Sequence, residues 1–96
     1  MSQIKQKIME LVKMAHNYLF LFHEQYAVKK LQQQLQQDNF SAKIIDAPRK
    51  ISSECELAIS IYFSDDEIYK QYINDNVRAV YKIDSNHFDV LWKDEF

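Results

Sequence analysis

Apolar side chains recur along this chain with two different periods, and each period predicts an element. Ile4, Ile8, Leu11, Val12 and Ala15 fall on one stripe at helical spacing, predicting a helix from Ser2 to Ala15 with Ser2 as its cap. Tyr18-Leu19-Phe20-Leu21-Phe22 is apolar on both faces and aromatic-rich, as a central strand should be. A second helix is predicted from Glu24 to Asp38, with Ala27, Val28, Leu31 and Leu35 inward and a glutamine-rich, solvated outer face. Asn39 is placed to end it, since asparagine tolerates the left-handed geometry that glycine usually supplies.

Ala42 to Asp46 reads as a short strand. Leu57, Ile59, Ile61 and Phe63 alternate with Ala58, Ser60 and Tyr62, predicting a half-buried strand. Ser64-Asp65-Asp66-Glu67 has the spacing of a capping box. It would open a third helix to Asn74, with Ile68, Tyr69, Tyr72 and Ile73 inward and the carboxylates stabilising the positive end of its dipole. Val77, Ala79, Tyr81 and Ile83 alternate with Arg78, Val80 and Lys82 as a last strand. Phe88, Val90, Leu91 and Trp92 make the remaining tail too apolar to hang in solvent.

After the first helix the order is strand–helix–strand–strand–helix–strand. That is the α+β class, in the ferredoxin-like split βαβ arrangement (βαββαβ). Right-handed crossovers would put the first and third strands, the most apolar, at the sheet centre. The chain reads as one domain over residues 1–96: a helical extension at 1–16, the ferredoxin-like core at 17–84 and an aromatic tail at 85–96. Both core helices would cover one sheet face. The extension, the tail or a second subunit would cover the other.

Composition narrows the function. The 96 residues are 47% apolar and 27% charged, a globular balance, with a net charge of −2 that argues against nucleic acid, as does the lack of a basic cluster with interleaved aromatics. There is no glycine at all, which excludes phosphate-cradling loops, dinucleotide fingerprints and EF-hands, each built on glycine geometry. The longest apolar run, Tyr18 to Phe22, falls far short of the ~20 residues that span a bilayer. A single cysteine forms no internal disulfide and suits a reducing cytoplasm, and the first residues lack the apolar core of a signal peptide.

The one proline and the one cysteine share the segment Ala47-Pro48-Arg49-Lys50-Ile51-Ser52-Ser53-Glu54-Cys55, which joins two predicted strands. Two readings of Cys55 stand. A thiol becomes nucleophilic when cations or a helix N-terminus favour its thiolate, and Arg49, Lys50 and a cap at Ser52 would do that, while Glu54 and Glu56 act against it. Alternatively Cys55 is a small buried hydrophobe, the commoner fate of a free cysteine. His16, His23 and His87 have no metal-ligand spacing with Cys55, and no Cys–His hydrolase motif is readable.

Here a resemblance adds to the physics. The Tyr18–Phe22 strand, the Ala27–Leu35 helix and the run from Ala47 through Cys55 to Ile59 resemble a small bacterial family of unknown function, the selenium/sulfur carrier-like proteins. Its mark is a strand, a helix, then Pro-Arg-x-Ile-Ser-x-x-Cys-Gly leading into another strand, and the likeness runs from Tyr18 to Ile83. It implies that Cys55 holds sulfur or selenium as a persulfide or selenosulfide and hands it to a partner enzyme, without metal or bound cofactor. Pro48, Arg49, Ile51 and Ser52 match the motif, and Ser53 falls in its spacer. The expected site is then Cys55 as acceptor and Arg49 as electrostatic support, framed by Pro48, Ile51, Ser52 and Ser53. Glu56 stands where the family carries glycine, removing backbone freedom and adding a negative charge beside the sulfur. Two rivals keep the chain a non-enzyme: an interaction module pairing through its open sheet face, as a homodimer or with a partner, and a redox sensor bridging subunits through Cys55.

Overall fold

A computed structural model describes residues 15–52 and 56–94. The helix expected over Ser2 to Ala15 lies almost wholly outside them. The described chain runs β1 (His16–Phe22), α1 (Tyr26–Gln37), β2 (Lys43–Asp46), β3 (Leu57–Phe63), a five-residue 3-10 helix (Ile68–Tyr72), β4 (Val77–Asp84) and β5 (His87–Lys93). The strands form a single antiparallel sheet in the order β2-β3-β1-β4-β5.

Strand β1 is central because it alone is apolar on both faces: Tyr18 through Phe22 are each at most 1% exposed. Tyr18, Phe20 and Phe22 join Ile59, Ile61, Phe63, Val77 and Val80 under α1, which contributes Ala27, Val28, Leu31 and Leu35. Leu19 and Leu21 pack on the opposite face with Ala58 and Ala79. Each fully buried large side chain is worth about 1.5–3 kcal/mol relative to exposure, so the aromatic face supplies most of the cohesion.

Helix α1 ends as its sequence requires. Asn39 has φ 69°, its N–H donates to the Gln36 carbonyl, and the Phe40 N–H donates back to the Leu35 carbonyl at 2.9 Å. These two bonds form a Schellman motif, with asparagine in glycine's place. Phe40 then folds inward, edge-on to Phe63 at 5.0 Å between ring centroids.

Three expectations need correction. The third helix is not an α-helix: only Ile68–Tyr72 turns, as a 3-10 helix, and the residue before it, Glu67, makes no side-chain cap bond. Asp65, not Ser64, takes the local role, its Oδ1 accepting from the Glu67 N–H at 2.8 Å. Ring stacking overrides the helical spacing here, with Tyr69 on Tyr18 and Tyr72 on Phe63. The segment is also tied at both ends, Tyr18 donating to Asp66 at 2.5 Å and Tyr72 to Asp38 at 2.7 Å.

Second, the aromatic tail is strand β5. It pairs with β4 through a two-residue turn, Ser85-Asn86, both at positive φ (46° and 70°), as a type I′ hairpin needs. Third, Leu57 is exposed rather than inward. The four-stranded, two-helix ferredoxin-like layout therefore holds only in its class. The molecule is α+β, with one α-helix and five antiparallel strands.

Two bulges explain why strict alternation fails in the second half. Leu21 pairs with Ala79 and Phe22 with Val77, which leaves Arg78 unmatched. Val80 pairs with Trp92 and Tyr81 with Val90, which leaves Leu91 unmatched. An extra residue resets the two-residue period. Val77 and Val80 thereby reach the same aromatic core, and so do Leu91 and Trp92.

Candidate functional site

The segment that the sequence singles out leaves the sheet at the far end of β1. Asp46 pairs with Leu57 at the last rung of β2 and β3, and the Ala47 N–H donates to the Glu56 carbonyl at 2.8 Å, closing the segment's base. Proline then sets the turn. Its fixed φ removes freedom, and its carbonyl accepts from both the Ile51 and Ser52 N–H groups at 3.1 Å. The chain from Pro48 to Ser52 is thus one compact reversal with Arg49 and Lys50 exposed at its tip.

Ile51 points back. With Ala47 it packs on Leu19, Leu21, Ala58 and Ala79, so the turn lies on the sheet face that α1 does not cover. Ser52 is buried, at 8% exposure. Of the expected site residues, the structure brings Pro48, Arg49, Ile51 and Ser52 together in the turn. Ser53 and Cys55 lie outside the described residues, as does Glu54, and so does the helical turn that Ser52 was expected to cap.

Sequence reasoning missed the neighbours that hold the segment's downstream end. The Glu56 side chain, only 12% exposed, forms an ion pair with Arg78 of β4, whose side chain is 32% exposed. Because β1 lies between β3 and β4, this pair spans the end of the central strand. Gln25, just before α1, accepts from the Leu57 N–H through its Oε1 at 2.7 Å. The available signal was an arginine among the apolar residues of β4, with a glutamate ahead of β3. Spacing alone gave no reason to join them.

Further support surrounds this end. The His23 N–H donates to the Asn76 carbonyl and the Asp94 N–H to the Arg78 carbonyl, both at 2.9 Å. His23 Nε2 and Asp94 Oδ2 also lie 2.9 Å apart. The perturbed groups sit elsewhere. At the other end of β1 burial, and then the Asp66 hydrogen bond, push the Tyr18 hydroxyl well up. The same bond, followed by one from Lys82, holds Asp66 below the usual carboxylate range. Surface clefts of about 290 and 490 Å³ border Asn74 and Asp75, and no residue of the turn lines either. No cluster of metal-ligating side chains occurs among the described residues, and no described helix is long and apolar enough to cross a membrane.

A small α+β sheet with a proline-turned, cation-tipped segment between its second and third strands is the class this geometry defines. The family described as "Putative Se/S carrier protein-like" matches residues 17–83, and the chain belongs to it. The matched range opens within β1 and closes within β4, leaving out the first 16 residues and β5. No curated protein and no solved structure matches the chain.

Proposed function

We propose that this protein carries sulfur or selenium on Cys55 in a reducing cytoplasm and delivers it to a partner enzyme. Membership of the carrier-like family is the observation that carries this reading. The exposed cations of the turn, in the same short segment as the thiol, support it. In loading, the Cys55 thiolate attacks the outer sulfur of a donor persulfide, the inner S–S bond breaks, and the donor leaves as thiolate. In delivery, the acceptor's nucleophile attacks the outer sulfur of the Cys55 persulfide and Cys55 leaves as thiolate. Each step exchanges one S–S bond for another bond to the same sulfur, so no external oxidant or reductant enters. A selenosulfide runs the same exchange.

Arg49 favours the anionic sulfur in both steps, while Pro48, Ile51, Ser52 and Ser53 shape the segment that presents it. As to fold, we read β1, α1, β2, β3 and β4 as a ferredoxin-like split βαβ unit extended by β5. Support comes from β3 lying between β2 and β1, the strands that α1 connects.

The test is the pH dependence of Cys55 alkylation by iodoacetamide, followed by loading from a small-molecule polysulfide. We expect an apparent pKa below the ordinary ~8.5 of a cysteine thiol. We also expect a mass gain of one sulfur on the Cys55 peptide, released by dithiothreitol and absent from Cys55→Ser. A thiol that titrates at or above the ordinary value and takes up no sulfur overturns the reading.

A further inference from the structure

Glu56 is covalently next to Cys55, so its charge bears on the thiol whatever the segment's detailed shape. Alone, a carboxylate there opposes a thiolate. It is not alone, because its nearly buried side chain is paired with the Arg78 guanidinium. A carboxylate so withdrawn from water is retained only with a partner, and arginine's planar fork suits the role.

The register provides an independent reason to single out Arg78. It is the unmatched residue of the bulge between β1 and β4, where Leu21 and Phe22 face Ala79 and Val77. A bulge re-aims the side chain at the extra position. Val77 keeps its place in the aromatic core, Ala79 keeps its place on the opposite face, and Arg78 reaches across the end of β1 to Glu56. The Arg78 carbonyl accepts from Asp94 at 2.9 Å, so the strand bearing this arginine is itself held.

We propose that Arg78 is a positioning residue for the Cys55 segment: its ion pair with Glu56 cancels the carboxylate next to the thiol and moors the segment's downstream end to β4. The inference deepens the carrier reading and rests on it for its biological meaning. Other charges at this end come from several elements. Asp46 ends β2, Arg49 and Lys50 tip the turn, Glu54 adjoins the thiol, Glu24 precedes α1, and His23 pairs with Asp94. Only Glu56 and Arg78 are joined across β1 by an ion pair among the described residues.

The experiment compares wild type, R78Q, E56Q and R78Q/E56Q by the pH profile of Cys55 alkylation, with circular dichroism to confirm folding. R78Q should raise the thiol's apparent pKa by about 0.5–1 unit and slow alkylation at pH 7 about three- to tenfold, the order of effect of one uncompensated like charge on the adjacent residue. E56Q should move the profile the other way, and the double variant should return close to wild type. If R78Q fails to fold, E56Q against R78Q/E56Q reads the same effect without stranding a carboxylate, and the double variant should have the higher apparent pKa. Profiles that coincide in the folded variants overturn the proposal. Polysulfide loading, run in parallel, separates the two claims. A profile that shifts in a protein taking up no sulfur overturns the carrier reading alone, and loading with unshifted profiles overturns the role of Arg78 alone.

Discussion

On one face of the sheet, Tyr18, Phe20, Phe22 and Phe63 lie beneath a 12-residue helix and a layer of stacked tyrosines. On the other, Leu19 and Leu21 lie between two alanines, and the described chain adds only the partly buried Ile45, Ala47, Ile51, Tyr81 and Ile83. Large rings interlocked in one layer resist rearrangement, because removing any of them leaves a void that its rigid neighbours cannot fill. Small residues beneath a short turn can resettle. The Pro48–Ser52 turn, through Ile51, lies on the side where adjustment costs least, while the aromatic side holds the fold. Binding and catalytic segments are commonly set on a rigid scaffold in this way.

Matched truncations should test this contrast first. Leu35 and Leu21 are both fully buried, one on each side. Leu35→Ala should cost about 3–5 kcal/mol and Leu21→Ala about 2–3 kcal/mol, read as urea midpoints at constant m. Equal losses would erase the distinction between the faces. A smaller effect, about 1–2 kcal/mol, is expected for Ile51→Ala, since its side chain is only partly buried. That variant should also change Cys55 alkylation, whereas Leu35→Ala should not while folded.

Next comes the tyrosine layer. Burial, then the bond to Asp38, pushes the Tyr72 hydroxyl up to about 12. The fold holds the neutral phenol, so above pH ~10 the unfolded chain loses this proton first. Stability from this group is intact below pH ~10 and drains away as pH climbs toward 12. Tyr72→Phe should cost about 1 kcal/mol at neutral pH and flatten the alkaline decline of the urea midpoint. An unchanged decline would remove Tyr72 from the account. The smallest effect belongs to neither face. Ser85 holds φ 46° without glycine's freedom, and Ser85→Gly should raise stability by about 0.5–1 kcal/mol in a thermal melt.

Local pattern revealed those parts of the molecule whose causes are local. β1 was legible because no other run is apolar on both faces, and the end of α1 because Asn39 suits the left-handed geometry it adopts. Residues 68–72 misled because Ile68, Tyr69, Tyr72 and Ile73 do have helical spacing. Their conformation is set from outside the run, by the rings of Tyr18 and Phe63 and the carboxylate of Asp38. β5 was hidden by its own bulge, which puts Leu91 and Trp92 on one side and erases the two-residue period. The turn itself could be read from Pro48 and its two cations. Arg78 could not, since it meets Glu56 from 22 residues downstream, across an intervening strand.

The backbone bond from Ala47 to Glu56 has an evolutionary corollary. Everything between those two residues hangs from a clasped neck, so its contents can be exchanged without unzipping the ladder on either side. Given an aliphatic foot at position 51 to rest on the sheet, the same frame could carry a different sequence at its tip, as a tool handle takes interchangeable heads.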